Sequence, residues 1–416
     1  MVERNWAGNV VYGAERLLQP RGLDELADLV SSSPQVRVLG TRHSFNNLAD
    51  TAGTLVSLQQ IPVDPERDVV VDAGARTVRA PGWMRYGELT RVLTGHGLAL
   101  ANLASLPHIS IAGAVATGTH GSGDRSGSLA TQVVGLDILD GLGDLHRLRR
   151  GDIGFDGAVV SLGALGIVTH VTLAVEPAYE VAQTVFEGAT WDHVLGDLDG
   201  VTGAGDSVSL FTTWGDADRV DQVWVKTRLG REPRAPLPGL RPADGPRHPI
   251  PGIDATPATQ QLGIPGPWYD RLPHFRLEFT PSAGEEIQSE YLVPRARAVA
   301  AIESVRALAP RISPILQVCE VRTVAADSLW LSAAHERDVV GLHFTWVKDP
   351  AAVAAVLPEL EAVLPEEARP HWGKVFADHG RVAGLYPRAR DFRQLREQFD
   401  PERRFANDYL HRVGLV

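Results

Sequence analysis

The feature that most limits what this chain can fold into is a pair of glycine-rich turns in its first third. In the first, an apolar run from Val36 to Leu39 meets a glycine, giving Gly40-Thr41-Arg42-His43-Ser44-Phe45-Asn46, with a histidine where the chain should turn. The second runs Ser110-Ile111-Ala112-Gly113-Ala114-Val115-Ala116-Thr117-Gly118-Thr119-His120-Gly121. Without Cβ atoms in the way, such backbone can approach a phosphate and turn its N–H groups toward it. Two loops of this kind imply a large diphosphate cofactor held between them. Two generic phosphate motifs do not fit. Gly118-x-x-Gly121-x-Gly123 lacks the spacing of a nicotinamide-type turn, and no acidic residue follows a strand at the required distance. Gly-Lys-Ser and Gly-Lys-Thr are absent, Gly373-Lys374 being followed by valine.

A chain of 416 residues exceeds one compact core, so two domains are expected. A formal charge of −11, with both signs interspersed, argues against nucleic acid or an anionic membrane as partner. No apolar run reaches the about 18 residues of a membrane span. The lone Cys319 excludes an internal disulfide and fits a reducing compartment. The start, Met-Val-Glu-Arg-Asn-Trp, lacks the basic and apolar regions of a signal peptide. A cytoplasmic monomer, with no metal, is the expectation.

Up to Pro177 the chain alternates short β-rich runs with short helical patterns. Leu23 to Val30 and Tyr86 to Leu93 have helical spacing. Val36 to Leu39, Thr54 to Leu58, Val69 to Val71, Val78 to Ala80, Val133 to Leu139, Leu145 to Leu148 and Ile167 to Val175 have strand character. Without regular βαβ units, this is an α+β pattern. Beyond Pro177 tryptophan becomes more frequent, and a proline-rich tract from Pro233 to Pro273 is expected to form a rigid surface excursion outside any strand region. Pro294 to Leu308 and Asp349 to Leu364 are expected as helices, Leu316 to Arg322 and Val340 to Val347 as strands.

Four clusters carry chemistry. A loop histidine is ordinarily a surface or capping residue, but at a phosphate turn the neutral imidazole of His43 is also a nucleophile able to bond to a cofactor ring. Within Cys319-Glu320-Val321-Arg322, period two puts Glu320 and Arg322 on one strand face. They form either a structural ion pair or a polyol clamp, the carboxylate accepting from vicinal hydroxyls and the guanidinium donating to them. His343 and Thr345 likewise share a face, and His371-Trp372-Gly373-Lys374 forms the fourth cluster. Polar pairs inside apolar segments, repeated this often, are hard to explain by structure alone.

Taken together, these segments resemble the FAD-dependent vanillyl-alcohol-oxidase superfamily, and within it the branch of alditol (xylitol-type) and aldonolactone oxidases. The resemblance spans nearly the whole chain. It covers Asn5 to Asn9, Gly40 to Asn46, Ala104-Ser105-Leu106-Pro107-His108-Ile109-Ser110, Ala116 to Gly121, Ser161 to Gly166, Cys319 to Arg322, His343-Phe344-Thr345-Trp346 and His371 to Lys374.

The resemblance implies a two-domain fold of the PCMH type. Residues 1–177 would bind FAD, 178–371 would cap it over the substrate, and 372–416 would return to the FAD domain. It implies a covalent bond from His43 to the flavin, with Gly40, Thr41, Arg42, Ser44, Ser105, Ser110, Gly113, Val115, Ala116, Thr117, Gly118, Val168 and His371 around the cofactor. Thr41 and Arg42 are bulkier than the family pattern, and Arg42 is expected to add a cationic contact to the pyrophosphate. On the substrate side it implies Ser105, Glu320, Arg322 and Thr345 as polyol contacts, with His343, Lys374 and Arg322 catalytic. An unperturbed imidazole titrates near ~6.5, which favours His343 as the base and leaves Lys374 an ammonium. The implied reaction oxidises a primary hydroxyl of a polyol to the aldose and reduces O2 to hydrogen peroxide. An aldonolactone oxidase or dehydrogenase shares these motifs, and a flavin carrier without catalysis would not need the substrate-side residues.

Overall fold

The computed structural model describes residues 3–231, 237, 239–279 and 285–416. Three larger β-sheets organise them, beside a two-stranded ladder of Leu98–Ala99 with Glu176–Pro177. Arg16–Leu18, Thr54–Val56 and Val36–Val38 form a small parallel sheet with Thr54–Val56 in the middle. A five-stranded antiparallel sheet follows the order Val70–Asp72, Thr77–Pro81, Ile167–Ala174, Val133–Leu139, Leu145–Arg149. Its edge strand Leu145–Arg149 alternates exposed and half-buried residues, while the central Ile167–Ala174 buries one face. The expected strand Thr54 to Leu58 stops at Val56, because Leu58–Gln60 winds into a 3-10 turn.

The third sheet lies within residues 180–370 and is antiparallel. Its order is Arg241–Pro242, Glu180–Glu187, Gln222–Arg228, Ser207–Thr212, Leu316–Val324, Val339–Val347, Glu286–Pro294, Arg369–Pro370. Cys319, Val321, Phe344, Trp346, Ile287 and Tyr291 belong to one buried cluster with Ile302 and Val305 of the helix Ala298–Ala307 and Val353, Val356 and Leu360 of the helix Pro350–Val363. Residues of the opposite parity on the same strands therefore turn to the other side of the sheet. That side carries the site.

The strands Glu180–Glu187, Ser207–Thr212, Gln222–Arg228 and Glu286–Pro294 had no clear signature in the sequence. Ser207–Thr212, Gln222–Arg228 and Glu286–Pro294 are buried on both faces over most of their length and contain polar residues. Glu180–Glu187 buries Gln183 between Val181 and Val185 and leaves Phe186 on its more open face, so neither clean alternation nor an unbroken apolar run marks any of the four.

The proline tract departs from expectation. Residues 232–236 and 238, Pro233 among them, lie outside the described residues. Farther along, Arg241–Pro242 and Gly266–Pro267 each pair with Glu180–Glu187 at the sheet edge, where proline's missing donor does no harm. His248, Pro249, Ile250, Ile253 and Pro257 border the central cavity. The tract is a wall of the site.

Residues beyond 371 hydrogen-bond back to the N-terminal part. Phe45 N–H donates to Gly373 O at 2.7 Å, Val36 N–H to Arg404 O at 2.8 Å, and Asn407 Nδ2 to Leu48 O at 2.9 Å. Arg37, buried inside the small sheet, donates through Nη1 to Gly163 O and Phe405 O and through Nη2 to Leu48 O and Leu162 O, at 2.7–2.9 Å. One guanidinium thus ties three distant segments, and burial pulls its pKa down to about 10.

Candidate active site

One cavity, about 490 Å³, runs from the first glycine turn to the polar face of the large sheet. At one end, Arg42 has φ +66°, a left-handed conformation that is costly for a bulky non-glycine residue. The N–H groups of Gly40 through Ser44 donate to no other described group. A left-handed residue inside a run of free N–H groups is the geometry of a backbone anion nest. The second glycine segment meets this turn at Ser110. Its N–H donates to Thr41 Oγ1 at 3.2 Å, and a Cβ on Gly40 or Gly113 would lie 3.0 or 2.8 Å from Ser110 Oγ. Both glycines therefore pack closely on Ser110, whose hydroxyl would have to give way to a Cβ. This cradle fits the diphosphate of FAD.

Gly40, Thr41, Arg42, His43, Ser44, Ser105, Ser110, Gly113, Ala116, Thr117, Val168 and His371 line the cavity. Val115 and Gly118 do not. Val115 is buried in the apolar core, and Gly118, at φ +64°, turns the chain out of the helix Ile111–Ala116. Arg42 lines the cavity, but its guanidinium pairs with Glu3 at 3.1 Å, so the cationic contact expected of it is already engaged. His43 lies half-buried beside Trp6, ring centroids 5.2 Å apart. Burial, reinforced by His108 and Lys374, pulls its pKa down to about 4, which keeps the imidazole neutral and nucleophilic at ordinary pH.

At the other end, strand register builds a polar row. Phe211 stands opposite Glu320, Glu320 opposite His343, and His343 opposite Glu290. The next row toward the sheet end pairs Val318 with Thr345 and Thr345 with Gln288. Arg322 faces Gly341, where a Cβ would lie 3.2 Å from Glu290 Oε1 and 3.6 Å from Arg322 Cγ. The missing side chain lets Arg322 cross to Glu290, donating from Nη2 at 2.8 Å and Nε at 3.2 Å. Arg322 Nη1 also reaches Ser105 Oγ at 3.4 Å and stands 3.6 Å from Glu320 Oε2. Glu290 and Glu320 are almost wholly buried. Desolvation alone would raise both carboxyls, yet Arg322, with His120 beside the first and His274 beside the second, holds them below the usual range.

The sequence points to Glu320, Arg322, His343, Thr345 and Lys374, and all five line the cavity. It does not point to Glu290, Gln288 or His274, and gives His120 no role. Glu290 carried one available signal, a charged residue at even spacing from Gln288 and Glu286, but it lay in a strand that was not recognised. His120 Nε2 stands 3.2 Å from Glu290 Oε1, and the His371 N–H donates to Glu290 O at 2.9 Å. His120, Glu290 and His371 cluster closely enough to suggest a metal site, but the carboxylate already serves Arg322.

The His343 pKa corrects the expectation from the free imidazole. Burial, together with the neighbouring Lys374, pulls it to about 3. Burial also brings Lys374 down to about 8. Both side chains converge on Gln288 Oε1, His343 Nε2 at 3.0 Å and Lys374 Nζ in closer contact, while Nζ and Nε2 lie 3.5 Å apart. An amide oxygen that receives an ammonium is an acceptor, so His343 donates from Nε2 and keeps its lone pair on Nδ1.

An FAD binding domain profile matches residues 14–149, and the D-arabinono-1,4-lactone oxidase profile matches residues 284–413. Alditol oxidase of Streptomyces sp. (strain IKD472 / FERM P-14339) is 49% identical over 411 residues, covering 98% of this chain and 97% of the relative. The chain belongs to the alditol oxidase family. It is an FAD-binding oxidoreductase. L-Gulono-1,4-lactone dehydrogenase of Mycobacterium tuberculosis is 28% identical over 434 residues, covering 98% of each chain. The crystal structure of cholesterol oxidase from Brevibacterium sterolicum superposes with a TM-score of 0.76 at 17% identity, covering 99% of this chain and 96% of that one. That likeness establishes the fold, a two-domain architecture that mixes helices and sheets. No helix among the described residues is long and apolar enough to cross a membrane.

Proposed function

We propose that this member of the alditol oxidase family oxidises the terminal primary hydroxyl of an open-chain polyol such as xylitol or sorbitol to the aldose, with O2 reduced to hydrogen peroxide. The observation that carries this is the polar face of Glu320, Arg322, His343, Thr345 and Lys374 in the same cavity as the His43 turn. FAD, when bound, supplies the hydride acceptor. Glu320 accepts from hydroxyls near the reacting end of the polyol, Arg322 and Ser105 orient them, and Thr345 adds a weaker contact. As the hydride leaves, the hydroxyl becomes a protonated carbonyl, a strong acid. A neutral imidazole of low basicity therefore suffices, and His343 Nδ1 takes the proton. The Lys374 ammonium stabilises negative charge developing nearby.

The division into residues 1–177 with 372–416 as the FAD-binding part, and 178–371 as the cap, is supported by the separate sheets and the returning hydrogen bonds. His43, neutral and on the cavity wall, is our choice for a covalent link to FAD. Colour that survives acid precipitation and maps to the His43 peptide is the expected result. Flavin released on denaturation would refute the link. A monomeric cytoplasmic enzyme with a small-molecule substrate is consistent with the acidic composition and the single buried cysteine.

The match of residues 284–413 to D-arabinono-1,4-lactone oxidase keeps an aldonolactone as the second substrate class. Side-by-side turnover of xylitol, sorbitol and L-gulono-1,4-lactone, followed by peroxide release, decides between them. Faster turnover of the lactone overturns the polyol assignment.

A further inference from the structure

Behind Glu320 lies a buried pair that the proposed chemistry does not use. Lys226, in the strand Gln222–Arg228, is 1% exposed, and His274, at the end of the proline tract, is 5% exposed. The ammonium nitrogen of Lys226 contacts three acceptors: Leu272 O, Pro273 O at 3.1 Å and His274 Nδ1 at 3.1 Å. The other ring nitrogen, His274 Nε2, is 3.0 Å from Glu320 Oε1. Phe211 and Trp224 pack edge-on against the imidazole at 5.5 and 5.4 Å between centroids. The His274 N–H donates to Ser105 O at 3.1 Å, so the residue is anchored at its backbone as well as its ring.

The two carbonyls can only accept, so they occupy two hydrogens of Lys226 whatever its charge. The third position on Nζ faces Nδ1. If it holds a hydrogen, Nδ1 accepts, the ring proton sits on Nε2, and Nε2 donates to the Glu320 carboxylate. If it holds a lone pair and the ring is neutral, Nδ1 carries the proton and two lone pairs oppose each other at Nε2 and Oε1. Moving the proton onto the ring would also keep the hydrogen bond. Burial, followed by the neighbouring Lys226, lowers His274 to about 4, while burial leaves Lys226 at about 7, so the proton stays on the lysine. The charged groups around this pair are Glu320 and Arg322.

We infer that Lys226 and His274 are positioning residues: the lysine holds His274 in its Nε2–H tautomer, and His274 holds Glu320 Oε1, leaving Oε2 toward Arg322 and the polyol. The consequence for polyol recognition rests on the proposed function. The tautomer lock does not.

The test therefore has two arms on the FAD-loaded enzyme. Nitrogen-15 spectra of histidine-labelled protein, without substrate, report the tautomer, with the His274 signals assigned by their loss in His274→Gln. A neutral ring protonated at Nε2 is expected at pH 6. Protonation at Nδ1 alone overturns the lock even if no polyol is ever turned over. In the second arm, His274→Leu removes the donor while His274→Gln keeps an N–H in reach of Glu320, and far-UV circular dichroism selects folded variants. The KM for xylitol is expected to rise roughly ten-fold or more in His274→Leu, out of proportion to any fall in kcat, and to recover mostly in His274→Gln. Equal effects of leucine and glutamine, or an unchanged KM in both, would show that His274 is only packing.

Discussion

Glu290 gives the sharpest quantitative expectation, because it is the buried counter-ion of Arg322. Its Oε1 receives two hydrogen bonds from the guanidinium, at 2.8 and 3.2 Å, and the residue is 1% exposed. Glu290→Gln preserves shape and an acceptor oxygen but removes the charge. Both bonds stay charge-assisted through the guanidinium, but the buried ion pair is lost, at about 2–3 kcal/mol, somewhat below the about 3–5 kcal/mol of removing a buried partner outright. Glu290→Ala removes the acceptor as well and leaves Arg322 with only Glu320 at 3.6 Å and Ser105 at 3.4 Å. Breaking one partner of a buried pair costs about 3–5 kcal/mol. At about 2–4 °C per kcal/mol for a unit of this size, thermal unfolding should fall by about 4–12 °C for glutamine and further for alanine. The same loosening of Arg322 should lower kcat/KM for polyols in both variants. Scanning calorimetry and steady-state kinetics on FAD-loaded protein check the two effects. A glutamine variant within about one degree of the parent, or an alanine variant no worse than glutamine, would refute the counter-ion role.

Glu320→Gln should lower kcat/KM for xylitol at least ~10-fold, since one charge-assisted bond of about 1.5–3 kcal/mol is weakened; an unchanged value makes Glu320 and Arg322 a structural pair. In anaerobic stopped-flow, His343→Ala should slow flavin reduction by ~10²-fold. With His343 titrating at about 3 and Lys374 at about 8, the rate should fall on the alkaline side as the ammonium loses its proton. Lys374→Arg should move that fall to higher pH, and a fall that stays put assigns it elsewhere. Burial lowers His274 to about 4 and His343 to about 3, so their unfolded forms bind protons first as pH drops below about 6.5. The stability these two histidines contribute should therefore be complete above that pH and decline toward pH 4, each accounting for about 1.4 kcal/mol per pH unit. His274→Gln should flatten the decline, and calorimetry showing the same slope in the variant contradicts it.

The local order of this chain was legible in its residues where one physical demand dominated. Val133 to Leu139 has in the sequence the ends it has in the structure, because it is an apolar run buried almost throughout. Leu23 to Val30 and Ile167 to Val175 agree within two residues at either end, because each buries one face and winds or alternates accordingly. Gly40 and Gly113 announced a close backbone approach, and the structure supplies the reason in Ser110 Oγ. Period two alone placed Glu320 with Arg322 and His343 with Thr345 on common faces. Spacing could not say which strands lie beside one another. Glu290 meets Arg322 only because Glu286–Pro294 pairs with Val339–Val347, which pairs in turn with Leu316–Val324. His274 reaches Glu320 only because the proline tract folds back as a wall. The same distinction governs protonation. Composition supplies an imidazole and an ammonium with their free-solution pKa values. The drop of His343 to about 3 and of Lys374 to about 8 comes from desolvation, joined by Lys374 at the first and by Arg322 at the second, and these exist only once distant strands have closed over the site.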